Sequence, residues 1–255
     1  MPQPEYISLP IKEILPHGEK DFFSLYLKNP GWEYTPGQFV MLRPRSWELD
    51  PLWPRPFSIC QTGGNGLRIF FRIAGRGTRL ISGLRPGERV NVWGPLGNGF
   101  DCKAEDNLLI LAGGMGLAPF MGLMQKHPHP ENLRLVFGYT AEKENYPLPE
   151  IPDKIPEQTI FRQKTEKDLG RFQEIIREQI SRARGRKVLA CGPSPFLKFI
   201  REKCLQTGID AQISLENTMA CGVGACLGCV QEDSRGGYTS TCKDGPVFSI
   251  HDIRM

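Results

Sequence analysis

The 255-residue chain has no run of five or more basic residues, although Lys and Arg together outnumber Asp and Glu by 32 to 28. A net charge of +4 spread this thinly makes no clustered basic face, so nucleic-acid binding is not expected. No window approaches the ~18 uninterrupted apolar residues of a membrane span. The opening stretch, Met1-Pro2-Gln3-Pro4-Glu5, has no charged leader followed by an apolar run, and no signal peptide is expected. Histidine is scarce, and His17, His127, His129 and His251 show no ligand-like spacing. There is no internal repeat, no low-complexity segment and no G-x-G-x-x-G fingerprint. What remains is an ordinary globular composition in an expected cytoplasmic setting, where clustered cysteines serve as metal ligands or redox groups sooner than as disulfides.

What is present divides the chain into three. Residues 1–101 read as β-rich, with short runs at Phe22 to Leu27, Gln38 to Leu42, Leu67 to Ile73 and Arg89 to Trp93. Turn signals such as Pro36-Gly37 and Pro86-Gly87 separate them, as in an antiparallel β-barrel. Residues 102–212 change pattern. Strands at Asn107 to Ala112, Leu133 to Phe137 and Val188 to Cys191 alternate with helical periodicity. One helix carries Leu169, Phe172, Ile175, Ile176 and Ile180 and stops at Gly185. Another takes Ser194 as its cap, Pro195 at its first position and Gly208 at its end. This alternation predicts an α/β domain with a doubly wound parallel sheet. Residues 213–255 are rich in Gly and Cys and form a small third unit.

The third unit carries the sharpest signal. Cys221, Cys226 and Cys229 follow the C-x4-C-x2-C spacing of plant-type 2Fe–2S proteins, and Cys242 supplies a fourth thiolate. Each iron needs two thiolates, and backbone N–H groups aimed at the sulfurs stabilise the anionic cluster. Gly222, Gly224, Ala225 and Gly228 let the chain wrap that closely. Structural zinc is the competing reading, but zinc sites usually pair short-spaced cysteines on both sides, and only Cys226 and Cys229 do so here. Of the single cysteines, Cys60, Cys102 and Cys204 read as small buried fillers.

The remaining motifs are weak one at a time. Gly113, Gly114 and Gly116 follow a strand and open a helix, where a pyrophosphate could approach the backbone, though any tight turn also uses glycine. Cys191-Gly192-Pro193 lies at the carboxyl end of a strand, where ligands of open α/β sheets bind, or is simply a strand-to-helix turn. Arg55-Pro56-Phe57-Ser58 combines a phosphate-pairing arginine, an aromatic ring and a hydroxyl, and Gly75-Arg76-Gly77-Thr78 offers an anion-binding loop. A solvated arginine and an ordinary loop explain the last two equally well in isolation.

Their order is more specific. R-P-F-S, then G-R-G-T, then Gly94 to Phe100, then G-G-M-G-L-A-P and C-G-P resembles the ferredoxin–NADP reductase superfamily over nearly the whole chain. The tail, with Ser214-Leu215-Glu216, Met219 to Cys229 and Cys242 to Phe248, resembles that of the electron-transfer subunits of dihydroorotate dehydrogenase B. The resemblance implies FAD contacts from Arg55, Pro56, Phe57, Ser58, Phe71, Arg72, Ile73, Gly77 and Thr78. It implies a nicotinamide nucleotide held by Gly113 to Pro119 and by Cys191, Gly192 and Pro193, with Cys191 near the stacked rings. The cluster ligands would be Cys221, Cys226, Cys229 and Cys242. A cysteine at 221 favours this family over related subunits that carry an aspartate there. Electrons would pass from NAD(H) through FAD and the 2Fe–2S cluster to an FMN-containing catalytic subunit, in a heterotetramer of two plus two, for pyrimidine biosynthesis. The same cofactor chain could instead serve a ferredoxin, hydrogenase or sulfide-type partner. No acid–base catalytic residue is implied. Glu142 and Glu144 would disfavour the 2′-phosphate of NADPH, with Lys143 partly offsetting them.

Overall fold

The computed structural model describes residues 4–19 and 21–255. The first half is a seven-stranded antiparallel sheet of β1 (Glu5–His17), β2 (Phe22–Leu27), β3 (Phe39–Pro44), β4 (Arg55–Ser58), β5 (Gln61–Gly63), β6 (Gly66–Arg72) and β7 (Arg89–Leu96), with α1 (Arg76–Ser82) between the last two. The strand order is β4-β3-β7-β1-β2-β6-β5. β1 was not visible in the sequence, because Pro10 and the Lys12-Glu13 pair interrupt its alternation. It is long enough to serve two neighbours. Glu5 to Pro10 pair with β7, and beyond an irregularity at Ile11/Glu13 the strand pairs with β2. A bulge of this kind bends a strand and raises its twist. The sheet curls until the ring of Phe57 on β4 lies 5.6 Å from that of Phe71 on β6. Inside the curl, Leu25, Leu27, Val40, Leu42, Ile69 and Val92 are fully buried.

The second half continues with β8 (Leu108–Gly113), α2 (Ala118–Lys126), β9 (Leu133–Tyr139), β10 (Glu157–Arg162), α3 (Glu166–Ser181), β11 (Lys187–Cys191), α4 (Ser194–Thr207) and β12 (Ala211–Ser214). Three short strands follow in the tail: β13 (Val230–Glu232), β14 (Tyr238–Ser240) and β15 (Val247–Ser249). The second sheet runs β10-β9-β8-β11-β12-β15 and is parallel except for β15, which adds antiparallel to β12. β8 is buried along its whole length, as a central parallel strand covered on both faces must be. α3 and α4 cover one face through Phe172, Ile176, Ile180, Leu197 and Ile200. α2 covers the other, where Phe120, Met121 and Met124 also meet Phe22, Cys60 and Phe70 of the barrel. Successive strands step outward in one direction from β8 and in the other from β11. The topological switch point, where open α/β sheets bind ligands, therefore lies between them.

Two local expectations need correcting. Ser194 is not the cap of α4. The cap position is Pro193, so the helix begins one residue early and Ser194 is its first helical residue. Gly208 does end the helix, at φ 67 in the left-handed region. The Gly75-Arg76-Gly77-Thr78 stretch is no open loop but the start of α1. There the Thr78 hydroxyl accepts from the backbone N–H groups of Ala74 (2.9 Å) and Gly75 (3.2 Å). Of the three cysteines read as fillers, Cys60 and Cys204 are fully buried, while Cys102 is only partly so.

Barrel and α/β domain are clasped by a polar junction. Arg68 on β6, only 2 % exposed, makes a bidentate ion pair with Glu150, whose second hydrogen bond is 2.8 Å. The same guanidinium donates twice to Ser24 Oγ, at 2.9 and 3.1 Å. With its lone pairs so engaged, the Ser24 hydroxyl donates to Nε2 of His17 at 2.8 Å, which requires a neutral imidazole. Nearby, Glu19 N–H donates to the side chain of the fully buried Asn145. Removing Glu150 strands a buried cation, so Glu150→Ala should cost roughly 3 kcal/mol in urea unfolding, the low end for buried pairs because Glu150 keeps some contact with water. Burial first, then the Arg68 charge, lower the His17 pKa from its ordinary 6.5. Below that value the unfolded chain binds the extra proton more readily, and stability is lost as pH falls. His17→Gln should flatten this acid limb, read from melting temperatures between about pH 5 and pH 7.5.

Candidate functional site

A cavity of about 710 Å³ opens at the switch point, between the barrel and the carboxyl ends of β8, β11 and β12. Its barrel wall is Pro56, Phe57, Ser58, Phe71, Arg72, Ile73 and Thr78, seven of the nine residues expected to contact FAD. The other two stand behind that wall. Arg55 donates to the carbonyls of Trp53 (2.7 Å) and Pro54 (3.3 Å) and lies over the Trp47 ring, 5.7 Å from its centroid. Gly77 clears space for it, since a Cβ there would come within 2.5 Å of Arg55 Nε. A smaller hollow lined by Asp106, Lys187 and Asp210 sits at the opposite end of the parallel strands, away from the side where such sheets bind ligands.

The nucleotide motifs meet each other on the opposite side. Gly113 ends β8, and the glycine turn runs through a 3-10 stretch (Gly114–Leu117) before α2 starts at Ala118, with Pro119 in its first turn. A Cβ on Gly116 would lie 2.1 Å from the Cys191 carbonyl oxygen and 2.6 Å from Gly192 N. Gly192 in turn approaches Gly113 so closely that a Cβ on Gly192 would lie 3.1 Å from the Gly113 backbone. These glycines let two turns interlock, and only Met115, Ala118 and Cys191 from this region reach the cavity wall. Gly113, Gly114, Gly116, Pro119, Gly192 and Pro193 do not line this cavity. Burial raises the Cys191 pKa to about 12, so it stays a neutral thiol.

The third wall comes from the tail and was not foreseen. Ser214, Leu215, Glu216, Asn217, Met219 and Pro246 complete the cavity, as do Phe39 and Phe70 of the barrel. Glu216 opens into the cavity yet has protein on its other sides, and this burial raises its carboxyl pKa. Asn217 links cavity to cysteines, because its amide donates to the Cys229 carbonyl (3.3 Å) and to Thr241 Oγ1 (2.7 Å). Several of these residues belong to the tail's motif, but nothing local in the sequence marked them as cavity wall. Each faces the cavity only because β12 and the tail turn back over the barrel.

The four tail cysteines are all free thiols in two pairs. The backbone N–H of Cys226 donates to Cys221 Sγ, and that of Cys242 to Cys229 Sγ. The inner pair is buried against Phe39, Met41 and Leu96, whereas Cys226 is exposed. Among the described residues no group of three His, Cys, Asp or Glu side chains is spaced to hold a single metal ion. Two pairs suit two irons with two thiolates each better than one four-thiolate zinc cage. Backbone N–H groups supply the expected donors: Val223 and Cys226 to Cys221 (both 3.4 Å), Gly224 to Cys242 (3.1 Å), Gly228 to Cys226 (3.4 Å) and Cys242 to Cys229 (3.4 Å). Burial pushes the Cys221 thiol up, but the N–H groups of Val223, Cys226 and Ala225 outweigh it and hold its pKa near about 6. Cys242 is pushed up to about 12, by burial and by its neighbour Cys229. Four thiols met by backbone N–H donors fit a 2Fe–2S cluster, which these cysteines would hold.

A barrel against a parallel sheet, with a cavity between them and a thiolate loop beside it, defines a ferredoxin–NADP reductase fold extended by an iron–sulfur tail. The structure superimposes on NADH-dependent reduced ferredoxin-NADP oxidoreductase with a TM-score of 0.79 at 23% identity, covering 96% of this chain and 89% of the other. The ferredoxin NADP+ reductase of Neisseria gonorrhoeae, solved with FAD and NADP, gives a TM-score of 0.61 at 15% identity over 80% of this chain and 92% of the other. Residues 216–254 match the model of the iron-sulfur cluster binding domain of dihydroorotate dehydrogenase B. The dihydroorotate dehydrogenase B (NAD(+)) electron transfer subunit of Clostridium perfringens is 30% identical over 98% of this chain and 99% of its own length. That of Caldanaerobacter subterraneus subsp. tengcongensis is 33% identical over 86% of both. The chain belongs to the family of dihydroorotate dehydrogenase B electron transfer subunits.

The interlocked turns can be tested directly. Gly116→Ala should force the Gly113–Leu117 turn away from Cys191, costing about 1–3 kcal/mol of stability as overpacking does. It should weaken nicotinamide-nucleotide binding at least tenfold while flavin stays bound, measured by titration of the purified protein.

Proposed function

We propose that this chain accepts a hydride from NADH and delivers single electrons to the FMN of a dihydroorotate dehydrogenase catalytic subunit in the cytoplasm, within a complex of two plus two chains. The observation that carries this reading is the shared wall: the cavity between the barrel and the interlocked nucleotide turns is closed by tail residues, one of which, Asn217, holds the loop of Cys229. When bound, a flavin and a 2Fe–2S cluster together supply the exchange between a hydride's electron pair and single electrons.

The chain's own residues supply placement. Phe57, Phe70 and Phe71 give the cavity apolar surface against which a flavin ring can pack. The Ser58 hydroxyl can donate to or accept from a flavin edge, and Arg55, held behind Pro56, adds positive charge for a pyrophosphate. Met115, Ala118 and Cys191 face that wall from the nucleotide side and define where a nicotinamide would stack. Hydride transfer needs close placement of the two rings more than it needs a proton donor. The relatives' names specify NAD(+), which favours NADH. The carboxylate argument for this preference is thinner than it looked in the sequence, because Glu142 is paired with Arg162. Glu144 is left to disfavour a 2′-phosphate. Membership of a family named for electron transfer supports a catalytic partner, and no helix among the described residues is long and apolar enough to cross a membrane.

Cys226→Ser tests the direction of flow. Reduction of the bound flavin by NADH, followed by bleaching of its visible absorption, should survive at near the unmodified rate. Delivery to the catalytic subunit, followed as orotate reduction, should stop. Undiminished delivery would remove the cluster from the path, and delivery to a ferredoxin but not to the orotate enzyme would assign a different partner.

A further inference from the structure

The large hydrophobic side chains left exposed near the cluster are grouped, and β3 explains the grouping. Met41 and Phe39 on its outer face are the floor beneath Cys229 and Cys242. Gly222 sits so close that a Cβ would lie 2.4 Å from Met41 Cγ. Side chains two apart on a strand share a face, so Arg43 follows Met41 about 7 Å along it. Arg43 donates to the Leu52 carbonyl (3.1 Å) and to that of Glu48, fastening the 45–54 loop to β3. Arg55 holds the Trp53 carbonyl of the same loop, and Arg76 pairs with Asp50. Three arginines thus pin a loop whose Leu49 is 82% exposed and whose Leu52 and Trp53 are more than half exposed. Across the sheet, Met41 faces Trp93 and Trp93 faces Tyr6, whose ring lies 5.7 Å from the indole and is 68% exposed. On the tail, exposed Val223 and Leu227 flank the exposed ligand Cys226. Leu227 is held at φ 56, a conformation uncommon outside glycine.

We propose that the pinned 45–54 loop and the Tyr6–Trp93 row of the barrel form, with Val223 and Leu227, one continuous docking face for the catalytic partner subunit. The proposal rests on the electron-transfer reading above. Electrons that leave beside Cys226 require their acceptor's subunit to cover it. A stable interface buries about 800 Å² on each side and engages some 20–30 residues, more than the short cluster lip can offer. The footprint must spread, and the adjoining apolar surface is the one fastened to β3. Ordered, exposed aromatic and aliphatic groups around a functional centre are what interface cores are made of.

The test uses the flavin- and cluster-loaded chain with its catalytic subunit. Leu49→Glu and Tyr6→Glu alter exposed side chains outside the cofactor cavity. Leu205→Glu, on α4, is the control. Expected are at least tenfold weaker association for the first two by isothermal titration, unchanged association for the control, and unchanged NADH-driven reduction of ferricyanide by all three. Association as tight as that of the unmodified chain in both Leu49→Glu and Tyr6→Glu overturns the docking face while leaving the electron-transfer reading intact. No association of the unmodified chain, with ferricyanide reduction normal, overturns the choice of partner and the docking face with it.

Discussion

Everything in this molecule depends on a short stretch of backbone, Gly245 to Ser249, that touches all three units at once. The Gly245 carbonyl accepts from Asn98 N–H at 2.6 Å, at the end of the barrel. Pro246 lines the cavity, and its carbonyl accepts from Leu215 N–H at 2.8 Å. Val247 to Ser249 then pair with β12 as the antiparallel edge of the α/β sheet. The barrel yields to this segment at two glycines. A Cβ on Gly97 would lie 2.4 Å from the Gly245 carbonyl oxygen, and one on Gly37 would lie 2.7 Å from Val247. This seam, together with the packing of Cys229 and Cys242 on Phe39, Met41 and Leu96, sets the distance of the cysteines from the cavity.

The seam gives the cysteine loop two different sides. Cys229 and Cys242 are pressed against Phe39, Met41 and Leu96, toward the cavity, while Cys226 looks outward. A cluster held this way would have an apolar, low-dielectric inner side and a solvent-facing outer one. Backbone N–H groups, not charged side chains, supply the positive field at the sulfurs. Hydrogen bonds and exposure are the protein's usual means of setting a cluster's potential. A cavity on one side and an exposed ligand on the other also give the path a direction.

The rigidity that holds this arrangement comes from unlike interactions at different places. Arg68 and Glu150 clasp the domains through charge, the arginine buried and the carboxylate partly open to water. Gly116 and Cys191 interlock by the absence of a side chain. The first kind of contact must be fully satisfied to be tolerated when buried; the second demands only shape. Both help keep the barrel wall and the nucleotide turns at a fixed separation across the cavity.

The sequence by itself determined the elements and the chemistry of the ligands. Period-2 and period-3.6 patterns located seven of the fifteen strands and the helices of the α/β domain, and the spacing of Cys221, Cys226 and Cys229 pointed to iron and sulfur, because these signals lie within a few neighbouring residues. It did not reveal β1, whose prolines break the alternation while its two pairing partners lie elsewhere in the chain. Nor did it separate the cavity-lining Phe57 and Ser58 from Arg55 and Gly77 behind them, although all four stand in compact motifs. Tertiary structure alone decided that Glu216, Asn217 and Pro246 wall the cavity, that Glu142 is spent on Arg162, and which thiols face inward. Those outcomes depend on contacts between segments far apart in the chain, whose side chains acquire a direction only once β12, β15 and the barrel have packed.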